Sequence, residues 1–297
     1  MEMKKIYGIL CACALSLTLA GCKDATAGVS DSKKALITVG NTNITKGDVY
    51  NVLKGNSGAS TALTMTTNTL YELEGIKVDD NMKKRAEKEF QESLKSSEQK
   101  EEDFIKNLKS YGIESKEDYF EQYYYPKYKQ EALNEKYVND KKKSVFNTYN
   151  PVKGRVLEAS SKEKAENALK AVQNGENFES AAKKYGDTTT YSGKEEVYIT
   201  ESSLPQTVFS QMTNVSKNGI ISKVIEDTSS GKYYVVQVTE KDTSKFEKDA
   251  INTILETSTS LDDTALTYYL EKHKFTIYDI DVYNGIKSAN ESYIVQD

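Results

Sequence analysis

Between Thr61 and Val138 apolar residues recur at three- and four-residue spacing almost without interruption, and at Asn150-Pro151 that rhythm stops. Leu63, Leu70 and Leu73 open the pattern, Met82, Ala86, Phe90 and Leu94 continue it, and Phe104, Ile105, Leu108 and Tyr111 carry it to Gly112. Such spacing places the apolar residues on one face of a helix. Ser115-Lys116-Glu117-Asp118 then reads as a new helix start, carrying Tyr119, Phe120, Tyr123, Tyr124, Leu133 and Tyr137, with Pro126 as a kink or break. Upstream, Ala35–Val39 reads as a strand and Thr45 as the N-cap of a short helix with Asp48 at its third position. Val49, Tyr50 and Leu53 supply that helix's stripe, and Gly55 to Ser60 is expected to end it.

Beyond Pro151 the texture alternates. Val152 to Glu158 reads as a strand, Ser161 to Asn174 as a helix stopped by Gly175, Phe178 to Tyr185 as a second helix, Val197 to Ile199 as a strand and Leu204 to Met212 as a helix begun near Pro205. Ile220-Ile221 and Tyr233 to Val238 complete an α+β arrangement with a small, mainly antiparallel sheet and surrounding helices. Ser244 to Phe275 reads as one or two more helices and Phe275 to Val282 as a final strand.

Composition narrows the function classes. The 297 residues carry 40 basic and 45 acidic side chains, a net charge of −5, so no clustered basic excess points to a nucleic acid. A single histidine, His273, leaves almost no room for histidine-based catalysis or a multi-histidine metal site, and its place near a helix end suits a cation against the dipole. No metal or other cofactor is expected.

The N-terminus carries the most specific signal. Lys4 and Lys5 precede an apolar run from Ile6 to about Leu19, too short for a stable membrane span and right for an export signal. It ends Leu19-Ala20-Gly21-Cys22, which is similar to a bacterial lipobox. The expectation is removal of residues 1–21 and diacylglyceryl modification of Cys22, with a flexible tether over 22–34. Cys11 and Cys13 would be discarded, and no cysteine follows Cys22. The mature chain would therefore hold no internal disulfide, thiolate metal site or thiol nucleophile.

The stretch from Val152 to about Lys241 resembles the parvulins. Gly175-Glu176-Asn177-Phe178 to Tyr185 is similar to their Gly stop followed by Phe-x-x-x-Ala-x-x-Tyr, Ser192-Gly193 stands where they carry Gly-Gly-Asp, and Ser216 to Ser222 resembles their Lys-x-Gly-x-Val/Ile-Ser stretch. Together with the lipobox and the segment Ile37 to Lys46, the order resembles the PrsA-type foldase lipoproteins of Gram-positive bacteria. That resemblance implies one helical, chaperone-like N/C domain, similar to the N-terminal domain of SurA, formed by residues 35–150 and 243–297. A PpiC-type parvulin domain over 151–242 would be inserted in it.

It also implies a site in which two histidines and an Asp or Cys form a polar network beside a Met and Phe that line a socket for the proline ring. The first histidine falls on Arg155, the acid on Glu195, the second histidine on Tyr234 or, with another gap, Tyr233, and the socket residues on Leu204 and Val208. Both histidines are replaced, so catalytic residues stay unassigned. Arg155 and Glu195 read equally as a surface ion pair across neighbouring strands, and the two tyrosines as ordinary strand residues. Tyr119, Tyr123 and Tyr124 are candidates for contacting unfolded clients, since tyrosine joins a large apolar face to a polar tip.

The implied function is a lipid-anchored extracytoplasmic foldase that assists exported polypeptides at the outer face of the cell membrane, with prolyl isomerisation in doubt. A homodimer is left open as a partner. Two other classes share the anchor: a solute-binding lipoprotein, which would need two lobes of repeated strand-helix units, and a passive surface lipoprotein, which would bind no client.

Overall fold

The computed structural model describes residues 27–296, so the export signal and Cys22 lie outside the described residues. The chain opens with an antiparallel ribbon, β1 (Ala35–Val39) and β2 (Thr42–Thr45), and continues through α1 (Lys46–Leu53) and α2 (Ala59–Leu73). Helices α3 (Asp80–Ser96), α4 (Glu101–Leu108), α5 (Lys116–Tyr119), α6 (Tyr125–Asp140) and α7 (Lys142–Tyr149) follow. The second half runs β3 (Val152–Ala159), α8 (Lys162–Gln173), α9 (Phe178–Tyr185), β4 (Glu195–Tyr198), α10 (Gln206–Asn214), β5 (Gly219–Ile220), β6 (Ile225–Asp227) and β7 (Lys232–Glu240). Helices α11 (Glu247–Thr257), α12 (Leu261–Lys272) and α13 (Ile280–Ala289) close it. No described helix is long and apolar enough to cross a membrane.

The chain divides into two compact units, one holding the segment up to Thr66 together with His273 onward, the other Thr67–Lys272. In the first, Thr45 caps α1 through a reciprocal box with Asp48, as the Thr-x-x-Asp spacing dictates. Residues expected to form part of a tether are tied down: Gly47 N donates to Ser32 O at 2.8 Å, Lys46 N to Lys34 O at 2.8 Å, and Ala27 N to Asp279 Oδ2 at 2.6 Å.

Three expectations fail here. Gly55 to Ser60 does not break the helix, because the chain passes through a π-turn at Lys54–Gly58 straight into α2. Tertiary contacts override the weak helix propensity of glycine: Lys54 is held by Asp279 at 3.1 Å and Asp281 at 2.7 Å, and Gly285 of α13 packs against Ala59. The final strand expected at Phe275 to Val282 is instead an irregular run into α13, where Asp279 accepts from the backbone N–H of Asp281 and Val282 as an N-cap. The stripe expected on α1 is not buried: Val49 and Leu53 are exposed and Tyr50 is half-buried.

The second unit contains a five-stranded antiparallel sheet in the order β4-β3-β7-β5, with β6 also on β7. Strand alternation divides its side chains between two faces. Leu157, Ala159 and Val235 turn to α8 and α9, burying Ala165, Ala168, Phe178 and Ala181. Val152, Val156, Val236 and Val238 turn to α10, burying Val208, Phe209 and Met212. Gly154 is what allows that second layer to close: a Cβ there would lie 2.6 Å from both Gln237 O and Met212 Cε.

The helical part of this unit packs α3 and α6 around aromatic rings. Phe90 meets Phe104 and Phe120 edge-on, each at 5.5 Å between centroids. A further core of Val138, Val145, Tyr149, Ile199, Ile254 and Leu261 joins α6, α7, α11 and α12 to the loop after β4.

Candidate functional site

The α10 face of the sheet brings together three of the five positions that the sequence matches to a parvulin site. Leu204, Val208 and Tyr234 belong to one cluster with Tyr191, Tyr198 and Met212. Tyr233 points to the other face, against the α8–α9 layer, so the strand itself decides between the two tyrosines. Tyr234 is 2% exposed, and a buried phenol needs a partner. It finds one across the ladder: Glu158 pairs in register with Tyr234, and the hydroxyl donates to Glu158 Oε2 at 2.9 Å.

Glu158 is itself buried, and Lys232 reaches its other oxygen at 3.5 Å from the rim. Burial, and then the carboxylate accepting its hydrogen bond, push the Tyr234 hydroxyl well above the ordinary tyrosine range, so it stays protonated and stays a donor. The Tyr191 ring stands edge-on to Tyr234 at 6.0 Å and its hydroxyl donates to Ser203 O at 3.4 Å, closing the cluster from the loop side. Just before β7, Asp227 accepts from Ser230 Oγ at 2.5 Å and from Ser230 N at 3.1 Å. The Ser230 hydroxyl, opposed by partial burial and helped by nearby backbone N–H groups, holds the Asp227 carboxyl below its usual range.

Arg155 and Glu195 are not part of this cluster. They oppose one another in the β3–β4 ladder on the α8–α9 side. Arg155 Nη1 donates to Glu179 Oε1 at 3.2 Å and to Gly193 O at 3.1 Å, while Glu195 pairs with Lys153 at 3.6 Å. Neither side chain joins the cluster, and in place of the cross-strand ion pair that is the other reading of the two, each has its own partner. These half-exposed pairs contribute little stability.

Two residues of the cluster escape a reading of the sequence. Glu158 carries a signal in hindsight: in Val152-Lys153-Gly154-Arg155-Val156-Leu157-Glu158 it falls on the same alternation as Val152 and Val156, a charge at an inward position. Tyr191 lies in a loop without periodicity. Among the described residues no group of His, Cys, Asp and Glu could hold a metal ion.

The site can be described chemically as a filled socket. Leu204 is 5% and Val208 0% exposed, packed in one cluster with Tyr191, Tyr198 and Tyr234, whose hydroxyls already donate to Ser203 O, Glu196 and Glu158. Rotation of an Xaa-Pro bond has a barrier of about 18–20 kcal/mol and lowering it requires a polar group aimed at the twisted amide. Tyr234 would have to release Glu158 to serve in that way.

The tyrosines of the helical part are sorted by a second π-turn, Phe120–Tyr124, followed by α6 with Pro126 in its first turn. Tyr125 and Tyr128 are buried, Tyr119 and Tyr124 half-buried, and Tyr123 is 55% exposed with its ring 4.8 Å from that of Tyr119. Tyr119 and Tyr123 therefore form an outward aromatic step.

Comparison with known proteins gives this sheet its class. Residues 128–242, from within α6 to just past the end of β7, match the family model of PPIC-type PPIase domains. Among solved structures, the foldase PrsA of Streptococcus pneumoniae is similar at 21% identity, with 88% of this chain and 99% of that one covered and a TM-score of 0.44. Peptidylprolyl isomerase (PrsA) of Bacillus cereus is similar at 15% identity over 88% and 100%, with a TM-score of 0.47. PrsA of Bacillus subtilis is similar at 18% over 85% and 99%, with a TM-score of 0.37. No curated protein sequence matches.

Proposed function

We propose that the chain is a foldase for exported polypeptides, held at the outer face of the cell membrane by a diacylglyceryl group on Cys22. Its PPIC-type domain works by binding clients, with little or no prolyl isomerisation. The observation that carries the folding role is the PPIC-type match over 128–242, a family defined by its handling of prolyl peptide bonds. What supports binding over catalysis is the filled socket, with Tyr234 bonded to Glu158 where the resemblance places a histidine. The aromatic step of Tyr119 and Tyr123 supports contact with unfolded chains, because an outward tyrosine accepts varied apolar partners while its hydroxyl stays hydrated.

One observation favours a second reading. A tyrosine hydroxyl kept protonated beside a carboxylate is a competent hydrogen-bond donor to a twisted amide once a client displaces Glu158.

The test joins two measurements on the mature chain: suppression of aggregation and recovery of activity for a secreted enzyme diluted from denaturant, and NMR exchange of short Xaa-Pro peptides. The expected result is assisted refolding with peptide exchange at its uncatalysed rate of tens to hundreds of seconds. Accelerated exchange that disappears in a folded Tyr234→Phe variant establishes the second reading. Absence of both aggregation suppression and assisted refolding overturns the proposal.

A further inference from the structure

We propose that the cavity enclosed by α3, α6 and α11 is a client subsite that takes a lysine-bearing apolar segment of an extended polypeptide. The inference rests on the client-handling reading above. The cavity measures about 580 Å³, within the range of pockets that enclose a ligand group, and all of it lies within the unit Thr67–Lys272.

Its floor is mixed, with Asn81 and the buried Asn134 beside four less polar side chains. Met82 from α3, Ala132 and the buried Tyr128 from α6, and Leu255 from α11 line it. Methionine adapts to side chains of different shape, which suits a site for varied sequences. Its rim is acidic, with Asp79, Glu131, Glu135 and Glu256 against the one cation Arg85. Arg85 is already spent: it pairs with Glu131 at 2.7 Å and lies over the Tyr128 ring at 4.1 Å. Asp79 is engaged as the N-cap of α3, accepting from Met82 N at 2.8 Å, whereas the carboxylates of Glu135 and Glu256, both on exposed residues, are left without a counter-charge in the lining.

That combination fits one occupant. A lysine presents an aliphatic stem ending in an ammonium, so the stem can lie on Met82, Ala132 and Leu255 while the head stays at the wet rim between Glu135 and Glu256. An acidic segment meets like charge. A neutral apolar segment partly dehydrates the carboxylates and offers nothing in return. The site thus ranks extended chains by charge as well as by apolar content.

The probes are three fluorescent peptides of equal length in which leucine alternates with lysine, serine or glutamate, read by anisotropy with the full mature chain. The lysine peptide should bind at least about tenfold tighter than the glutamate peptide, and weaken as salt rises. The double variant Glu135→Lys/Glu256→Lys changes only exposed side chains; it should lose that preference while its circular dichroism stays unchanged. Equal binding of the three peptides, or a lysine preference unaffected by the double variant, overturns the inference. Aggregation suppression separates it from the broader reading: retained in the face of either result, it leaves the foldase standing without this subsite, and lost together with all peptide binding it removes both.

Discussion

Glu201 belongs to no helix or strand, yet four groups donate to its carboxylate. It accepts from Ser258 Oγ at 2.8 Å, from Thr259 N at 2.8 Å, from Ser260 N at 3.4 Å and from the Ser260 hydroxyl. The first turn of α12 begins there, with Thr264 N donating to Ser260 O, so a carboxylate from the loop after β4 faces a helix N-terminus. Partial burial alone raises the Glu201 carboxyl, but the hydroxyl and backbone donors together outweigh it and leave it below the ordinary range. Since the folded group is the stronger acid, its stabilisation is complete above the unfolded pKa of about 4.3 and fades as pH falls through the lower folded value. Replacement by Gln should therefore cost about 1–2 kcal/mol at neutral pH, the range of a lost helix cap, and less at an acid pH low enough to protonate the wild-type carboxylate. Urea midpoints of wild type and Glu201→Gln at both pH values check this, and a gap that stays constant with pH sinks it. The Tyr234–Glu158 pair teaches the complementary lesson. Nothing in the sequence of β7 alone shows whether a tyrosine at a histidine position reaches for a client or for its own sheet, because the answer lies 76 residues away in β3.

Elements with a strong period or a local cap signal are legible in this sequence, and those decided by distant packing are not. The inward stripe Met82, Ala86, Phe90, Leu94 of α3 is buried as its spacing demands, and the Ser115 and Ser161 caps fall where the composition places them. Strand β6 is only three residues long, too short to show alternation. The π-turn over Lys54–Gly58 was unreadable because two glycines argue for a break, while the contact that keeps the chain helical comes from α13. The candidate site divides along the same line: the order of segments locates Leu204, Val208 and Tyr234, but Glu158 and Tyr191 join them only through the ladder and a loop. The α2–α13 contact can be tested directly. A Cβ on Gly285 would stand 2.5 Å from the Ala59 Cβ, a clash that outweighs the roughly 1 kcal/mol that alanine gains over glycine within a helix. Gly285→Ala should then lower stability by about 1–2 kcal/mol, and Ala59→Gly in the same chain should recover most of the loss. Additive effects of the two changes would show that the helices do not rely on this approach.

At the scale of the whole molecule the question is how far the folded body stands from the membrane it is proposed to work on. Ala27 is already bonded to Asp279, so between a lipid on Cys22 and the folded unit lie only residues 23–26. Five Cα steps at no more than about 3.6 Å each reach roughly 18 Å, which would hold the body against the headgroup region. A polypeptide leaving the membrane would then meet binding surfaces at high effective concentration without needing high affinity for them. Anchoring of this kind depends on the lipid: one acyl chain holds only marginally, and two or more are needed for stable attachment. Replacing Cys22 with alanine removes the thiol that would carry them, and no other cysteine follows in the chain. The variant should move from the membrane fraction to the medium and from the detergent phase to the aqueous phase on Triton X-114 partition, while aggregation suppression by the purified protein is unchanged. Its folding assistance in cells should fall, because what it loses is position and not a surface. A Cys22→Ala protein that still sediments with membranes would place the attachment elsewhere. One that leaves the membrane yet sustains secretion in full would separate the foldase activity from the tether.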